Sequence, residues 1–333
     1  MTTETTLLRY LSAADVLAAL PPVEERLALA RRTMLALVAD AELAPKLAVH
    51  PRPTASFAHA MPALLRGGAT DGTEDLLGMK WVTGYQDNPA VGLPTIHGTV
   101  RMSDARTGVP RGILDAGPVT AHRTAAVSGV AIEHWAPDLG ERSLRIGLVG
   151  AGAQGRSHLA VLAHLLPGST LVIHDRDAVR AGALAAEAEE TDAFDAIATV
   201  ERAVDAIEGA DVVVTLVSFG PDRQAIPLSA FAPDATIVAV DYDMCVPSAL
   251  ATSAGLFLVD DRGQFLSNRH GPVFAGYPDP DAMIGEALLA GTERPATGRV
   301  LITHLGVGLA DVVFGDALLR AAEAQGLGTI LPR

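Results

Sequence analysis

The sequence predicts an α/β protein in which a Rossmann-type, doubly wound parallel sheet is joined to an α+β domain. Two observations lead to this prediction. The stretch from Leu144 to Asp175 contains a short apolar strand, a glycine-rich turn, a helical pattern and a second strand, which together make a βαβ unit. Strands and helices continue to alternate beyond it, whereas residues 1–115 show helices followed by an antiparallel meander.

The first domain begins with two helices, at 12–20 and 23–40. Ser12 is a suitable N-cap, and Pro21 and Pro22 separate the two apolar patterns. Apolar runs bounded by turn-forming residues then predict the meander, with a proline-containing hairpin at 51–54. Its strands are predicted at 46–50, 56–61, 76–83, 95–103 and 111–115.

A helix at 120–135 leads into the second domain, whose alternating pattern predicts a parallel sheet covered on both faces. Residues 260–280 are rich in Gly, Pro and charge and are predicted to form loops. A last helix at 306–324 returns to the first domain. The predicted domains are therefore 1–122 with 303–333, and 123–302. The predicted elements of the second domain are strands at 144–149, 171–174, 194–199, 211–217, 236–240 and 256–259 and helices at 154–166, 178–190 and 200–207.

The glycine-rich turn carries Gly150, Gly152 and Gly155 in the order G-x-G-x-x-G. The first glycine allows a tight turn, the second lets the backbone approach a pyrophosphate, and the third packs helix on strand. Asp175 ends the second strand, about 20 residues further on, where a carboxylate accepts the ribose hydroxyls of NAD(H). Arg176 beside it keeps NADP(H) possible, because an Arg there can hold a 2′-phosphate.

The composition of the chain argues against several classes of function. A formal charge of −14 argues against a nucleic-acid partner, and no apolar run is long enough to span a membrane. The N-terminus lacks the pattern of a secretory signal, so a cytoplasmic location is expected. Cys245 is the only cysteine, which excludes an internal disulfide and a cysteine-based metal cluster; we expect no metal site.

Three residues are candidates for a catalytic or ligand-binding role. Lys80 lies in an apolar strand, where either its stem reaches the surface or its ammonium meets a carboxylate. Arg123 opens the helix into the second domain and is either a surface residue or a clamp for a ligand anion. Asp243 follows a parallel strand close to Asp241; it either caps a turn or acts as a general acid or base beside a nicotinamide.

Several strings resemble the ornithine cyclodeaminase/mu-crystallin family, in the family's order and over nearly the whole chain. They are G-M-K-W-V-T-G-Y-Q-D-N-P-A-V-G-L-P-T at 78–95, T-A-H-R-T-A-A-V-S at 120–128, G-A-G-A-Q-G at 150–155, M-I-G-E at 283–286 and H-L-G-V-G-L-A-D at 304–311. The resemblance implies a homodimer built by the N-terminal domain and the final helix, with a Rossmann domain that binds NAD(H) or NADP(H).

The resemblance also implies roles for individual residues. Lys80 and Arg123 match residues that hold a substrate α-carboxylate, Thr95 matches a pocket residue, and Asp243 matches the acid/base of the cyclodeaminases. A further Arg from the N-terminal hairpin usually joins the clamp, for which Arg52 is the best candidate and His59 or Lys46 the alternatives. The implied cofactor contacts are Gly150, Gly152, Ala153, Gln154, Gly155, Asp175, Arg176, Thr215, Val217 and Val240.

The sequence departs from the family pattern after the catalytic Asp. Cyclodeaminases resemble one another in D-C-P-G-K-T-E-L, whereas this chain has D-M-C-V-P-S-A-L from Asp243, so that Pro247 replaces the Lys and Ala249 the Glu. We therefore expect an NAD(P)-dependent imine reductase or amino-acid dehydrogenase acting at a Cα–N bond. The alternatives are a cyclodeaminase that releases ammonia with catalytic NAD, and a protein that binds a small ligand in a nucleotide-dependent way.

Overall fold

The computed structural model describes residues 7–52, 56–68, 74–140, 142–220, 223–224, 226–271 and 273–332. Pro53 and Thr54 of the predicted hairpin lie outside these residues. The chain divides into two compact units, Met1–Arg123 with Val307–Arg333, and Thr124–Gly306. No helix within the described ranges is long and apolar enough to cross a membrane.

The predicted helices and meander up to residue 135 are present. Strands β1 and β2 were not predicted, because three or four residues carry little periodicity. The elements are Leu8–Leu11 (β1), Ala13–Ala18 (α1), Val23–Ala39 (α2), Ala41–Leu43 (β2), Leu47–Val49 (β3), Ser56–Leu65 (β4), Leu76–Tyr85 (β5), Ile96–Asp104 (β6), Pro110–Asp115 (β7) and Ala116–Trp135 (α3).

The remaining elements alternate as predicted, with several short additions between residues 248 and 303. They are Arg145–Val149 (β8), Ala153–Leu165 (α4), Thr170–His174 (β9), Ala178–Glu189 (α5), Ala196–Thr199 (β10), Ala203–Ile207 (α6), Val212–Thr215 (β11), Thr236–Ala239 (β12), Ser248–Ser253 (α7), Leu256–Val259 (β13), Arg262–Arg269 (α8), Ala282–Met283 (β14), Ile284–Ala290 (α9), Val300–Thr303 (β15), Gly308–Gln325 (α10) and Thr329–Leu331 (β16).

The sheet of the first unit has the order β16-β1-β7-β6-β5-β4-β2, with β3 paired to β4. Strands β4 to β7 form the predicted antiparallel meander, and β1 adds to it in parallel with β7. Helix α10 covers one face of this sheet: a Cβ atom built on Gly78 of β5 would lie 3.0 Å from the Val312 side chain. Lys80 shares that face with Gly78, because alternate residues of a strand point the same way.

The sheet of the second unit has the order β10-β9-β8-β11-β12-β15-β13-β14, and every strand pair in it is parallel. The central strands β8, β11 and β12 consist almost entirely of buried apolar residues, as strands covered on both faces do. The chain order reverses between β8 and β11, and in open parallel sheets ligands bind at the carboxyl ends of the strands beside such a point. The predicted fold class is confirmed.

The prediction of loops throughout 260–280 was wrong, because helix α8 lies within this segment. The Asp261 carboxylate accepts a hydrogen bond from the Gln264 N–H at 2.6 Å, which caps the helix, and Phe265 is completely buried. The helix has only two large apolar residues, Phe265 and Leu266, and they are adjacent. Adjacent residues give no helical periodicity to detect, so composition favoured a loop.

Candidate active site

A buried cluster of three charged side chains lies in the first unit. Lys80 comes from β5, Arg123 from α3 and Asp311 from the first turn of α10. The Lys80 Nζ atom is 2.7 Å from Asp311 Oδ2, and the Arg123 Nε atom is 3.1 Å from Asp311 Oδ1. All three residues are at most 5% exposed. Of the two alternatives for Lys80, the structure shows the ion pair with a carboxylate.

The cluster holds two cationic side chains against one carboxylate, so it has a net positive charge when Lys80 is protonated. Burial lowers the pKa of Lys80 to about 7, while Asp311 opposes this shift and Arg123 and Lys46 add to it. Near neutral pH the site can therefore gain or lose one positive charge. A site of this kind suits a small anion, whose arrival stabilises the protonated lysine.

The sequence analysis did not single out Asp311, although it lies in one of the strings that resemble the family. It is a fully buried acid in the apolar run from Gly308 to Phe314. A carboxylate in such a run needs a cation or several donors, because a bare buried charge is costly. That rule, combined with Lys80 in an apolar strand, is the signal that could have paired the two residues.

The hairpin candidates for a third clamp residue occupy different places. His59 faces the same side of the sheet as Lys80, since His59 pairs with Val82 and Met61 with Lys80. Its pKa is lowered to about 4, mainly by burial and then by Lys46, His50 and Lys80, so His59 is uncharged at neutral pH.

Lys46 contributes to the lowered pKa of both His59 and Lys80 and directly precedes β3. Arg52 is exposed at the turn, where its backbone exchanges hydrogen bonds with the Ser56 hydroxyl. Lys46 is therefore better placed than Arg52 to supply a third cation. Thr95 is half-buried before β6, and its carbonyl accepts from the Tyr85 N–H at 2.8 Å.

The glycine-rich turn of the second unit has the geometry that a pyrophosphate requires. Gly150 has a φ of +115°, and a Cβ atom there would lie 2.7 Å from the Leu216 carbonyl oxygen. A Cβ atom on Gly155 would lie 2.4 Å from the Gly150 carbonyl oxygen, which shows how closely α4 approaches the strand. At Gly152, by contrast, a Cβ atom would meet nothing within 4 Å. The open space is at the glycine whose backbone the phosphates approach.

Two further features of α4 fit a dinucleotide. Gly152 is the N-cap and no side chain caps the helix, so the first N–H groups are available to an anion. The Oε1 atom of Gln154 is buried without a hydrogen-bond partner among the described residues. Ala153 is exposed on the first turn. The residues present therefore fit the cofactor that the motif predicts.

Asp175 lines the same recess as Gly150, Gly152, Arg176 and Val217. Its Oδ2 atom accepts from the Ala151 N–H at 2.7 Å and its Oδ1 atom from the Asp177 N–H at 2.9 Å. These bonds fix the carboxylate at the end of β9, beside the turn. The geometry suits an adenosine ribose with two free hydroxyls, and Arg176 also borders the recess.

The two aspartates after β12 have different surroundings. Asp241 is buried, and burial raises its pKa to about 6. It accepts from the Thr215 hydroxyl at 2.8 Å and from the Val217 N–H at 3.2 Å, and so ties the end of β11 to the end of β12. Thr215 is fully buried, while Val240, which directly follows β12, is half-buried.

Asp243 lies further along the same loop and is held by groups from two other segments. Its Oδ1 atom is 3.2 Å from the Arg223 Nε atom, and its Oδ2 atom accepts from the Phe274 N–H at 2.9 Å. The sequence analysis did not identify Arg223. Within the described ranges, no group of three or more His, Cys, Asp or Glu side chains is arranged to hold a metal ion.

Replacement of Asp311 by Asn is expected to lower the free energy of unfolding by about 3–5 kcal/mol, because two buried cations lose their counter-charge. The matched control is Glu187→Gln, since Glu187 forms an ion pair with Arg156 in which both side chains are about half exposed, and its loss should cost at most about 1 kcal/mol. Urea unfolding of both variants measures the difference. Equal, small losses would contradict the assigned role of Asp311.

Replacement of Gly152 by Ala is expected to weaken NADH binding by at least about tenfold, equal to 1.4 kcal/mol, without loss of stability. The added methyl group enters space that is open in the protein and that the phosphates need. Gly182→Ala is the control, because its Cβ atom also meets nothing within 4 Å but lies on α5. Calorimetric titration with NADH compares them, and equal affinity in both variants would place the cofactor elsewhere.

Sequence comparisons give this chain clear relatives. The model of the Ornithine cyclodeaminase/mu-crystallin family matches residues 11–233. A nodulation efficiency protein of Rhizobium meliloti, NfeD, is 33% identical over 295 residues, which cover 86% of each protein. A Delta(1)-pyrroline-2-carboxylate reductase of Bacillus cereus is 26% identical over 290 residues, covering 80% of this chain and 83% of that protein.

Solved structures of the same fold extend over almost the whole chain. The Thermococcus litoralis Delta(1)-pyrroline-2-carboxylate reductase, in complex with NADH and L-proline, superposes with a TM-score of 0.83 at 21% identity, covering 96% of this chain and 99% of the other. An archaeal alanine dehydrogenase dimer with bound NAD gives 0.83 at 22% identity, covering 98% and 99%. These likenesses establish the fold, and the sequence match establishes the family: the chain belongs to the ornithine cyclodeaminase/mu-crystallin family.

Proposed function

We propose that this protein is an NAD(H)-dependent oxidoreductase that transfers hydride at the Cα–N bond of an amino or imino acid. The observation that supports this most strongly is the buried cluster of Lys80, Arg123 and Asp311, whose excess positive charge suits one α-carboxylate. The same chain carries the dinucleotide turn. The reductase of Bacillus cereus, a sequence relative, is named for a substrate of this class.

In this proposal each part of the substrate has its own partner. Lys80 and Arg123 donate charge-assisted hydrogen bonds to the α-carboxylate and fix the orientation of Cα, with Lys46 or Arg52 as a third cation and Thr95 at the pocket wall. Bound NAD(H) supplies or accepts the hydride. Asp243 moves the proton to or from the nitrogen.

NAD(H) is the favoured cofactor and NADP(H) the alternative. Both oxygens of Asp175 already accept backbone N–H groups, which holds the carboxylate at the recess where it would repel a 2′-phosphate. Arg176 and Arg180 border that recess and could compensate for such a phosphate. The free, buried Cys245 suits a reducing compartment, and we propose a cytoplasmic location.

The experiment that tests this proposal is absorbance at 340 nm with NADH or NADPH, against cyclic imines and against α-keto acids supplied with ammonia or amines. Steady oxidation of the nucleotide is the expected result. Release of ammonia from ornithine or lysine with catalytic NAD would instead indicate a cyclodeaminase. Nucleotide binding without turnover in either assay would favour the ligand-binding protein.

Replacement of Asp243 by Asn is expected to reduce turnover by ~100-fold or more, as loss of a general acid or base does, while NADH affinity is kept. Asp205→Asn, at an exposed ion pair with Arg202 on the same unit, is the control and should leave turnover unchanged. Steady-state rates and NADH titration separate the two effects. Full turnover in Asp243→Asn would remove this residue from the mechanism.

We further propose a homodimer that forms through the sheet of the first unit. The face opposite α10 presents Pro62, Met79 and Trp81 side by side, since Pro62 pairs with Met79 and Ala60 with Trp81. Trp81 is 40% exposed, and apolar residues grouped in this way mark interaction surfaces. The archaeal dehydrogenase of this fold is a dimer. Helix α10 would support the interface from the other side of the sheet.

Replacement of Trp81 by Glu is expected to shift the dimer toward monomer, because two buried carboxylates would face the partner copy without counter-charges. Val179→Glu, at an exposed apolar position on α5, is the matched control. Sedimentation velocity over a range of protein concentrations measures the shift. A Trp81→Glu protein that remains dimeric at low concentration would place the interface on another surface.

A further inference from the structure

The backbone around Asp243 is unusual. Among the described residues, three that are not glycine have a positive φ, namely Asp192, Tyr242 and Phe274. Tyr242, at +61°, directly precedes Asp243, and Phe274, at +59°, donates its N–H to Asp243 Oδ2. Left-handed conformations are costly for aromatic residues and persist where the surrounding structure imposes them. Both strained residues therefore lie next to one carboxylate, Tyr242 in the chain and Phe274 through its N–H.

An aromatic stack joins the loops that surround this carboxylate. The Phe219 ring meets the edge of Tyr242 with centroids 4.6 Å apart, and Tyr242 stacks on Phe274 at 5.7 Å. Phe219 lies in the loop after β11, which also carries Arg223. The stack thus joins Phe219 and Phe274 to Tyr242, the residue that directly precedes Asp243.

Arg223 supplies the cation that faces Asp243. Its Nε atom lies 3.2 Å from Asp243 Oδ1, and its Nη1 atom contacts the Gly220 carbonyl oxygen at 3.3 Å and Met244 Sδ at 3.5 Å. Both of these further contacts are made by Nη1, and they hold the guanidinium beside the ion pair. Residues 244–259 carry no charged side chain, so no cation comes from the chain that follows Asp243.

Phe274 and Arg223 restrict different movements of the carboxylate. With the Phe274 N–H alone, Oδ2 would be fixed while Oδ1 could swing about the side-chain torsions. The ion pair between Oδ1 and Arg223 opposes that movement. Asp241 does not share this task, because its oxygens bind Thr215 and Val217.

We propose that Arg223 is a positioning residue that orients the Asp243 carboxylate for proton transfer at the substrate nitrogen. This inference rests on the proposed function, in which Asp243 moves that proton. Arg223 itself exchanges no proton and needs no contact with the substrate. Its loss should lower the rate of the chemical step and leave the binding of cofactor and substrate nearly unchanged.

The test compares Arg223→Gln and Arg223→Lys in the native background and in Asp243→Asn. Misplacement of a catalytic group by about 1 Å can cost ~100-fold in rate. We expect kcat for reduction of a cyclic imine carboxylate by NADH to fall by ~10- to 100-fold in Arg223→Gln, with KM and NADH affinity within about twofold. Arg223→Lys should recover part of the loss, and Arg223→Gln should add nothing to Asp243→Asn.

Arg202→Gln, which removes an exposed cation from the same unit, is the control and should have no effect. Unchanged kcat in Arg223→Gln, together with an impaired Asp243→Asn, would overturn the inference and leave the proposed function intact. A raised KM with normal kcat would also overturn it, because Arg223 would then be a substrate contact. Normal turnover in Asp243→Asn would overturn the proposed function itself.

Discussion

The shared carboxylate of Asp311 determines the electrostatics of the first unit. The side chains of Lys80 and Arg123 are both almost completely buried, and neither could remain charged there without a counter-ion. The single carboxylate compensates one of the two positive charges. In the proposed function, the substrate carboxylate compensates the other. Because burial lowers the pKa of Lys80 to about 7, the charge of this side chain changes near neutral pH. An incoming carboxylate would favour the protonated lysine.

In the second unit, the neighbouring carboxylates of Asp241 and Asp243 have different surroundings. Asp241 is buried and joins the ends of β11 and β12 through Thr215 and Val217; burial raises its pKa to about 6, and these two hydrogen bonds oppose the shift. Asp243 instead lies between an arginine and a backbone N–H, on a loop with a strained conformation. Environment thus distinguishes the two acids, as it does in many active sites.

The elements and site residues that could be predicted from the sequence are those marked by short-range sequence patterns. The glycine turn, Asp175 and the alternating elements of the second unit depend on spacing within a few tens of residues. Strands β1 and β16 were missed because each is too short to show periodicity, and because their pairing, as between Leu8 and Leu331, is a contact that no local pattern encodes. Asp311 was missed for the same reason, since its partner Arg123 lies 188 residues away. Arg223 was missed because its contact with Asp243 joins two loops, and no local sequence pattern marks such a contact.

In the proposed function, the net positive cluster of the first unit selects a substrate carboxylate. The most direct measurement is NADH oxidation at 340 nm with Δ1-pyrroline-2-carboxylate and with 1-pyrroline, which lacks the carboxylate. Two hydrogen bonds to charged groups contribute about 1.5–3 kcal/mol each, so kcat/KM should favour the carboxylate by at least ~100-fold. Equal values for the two imines would show that Lys80, Arg123 and Asp311 serve the fold and not the substrate.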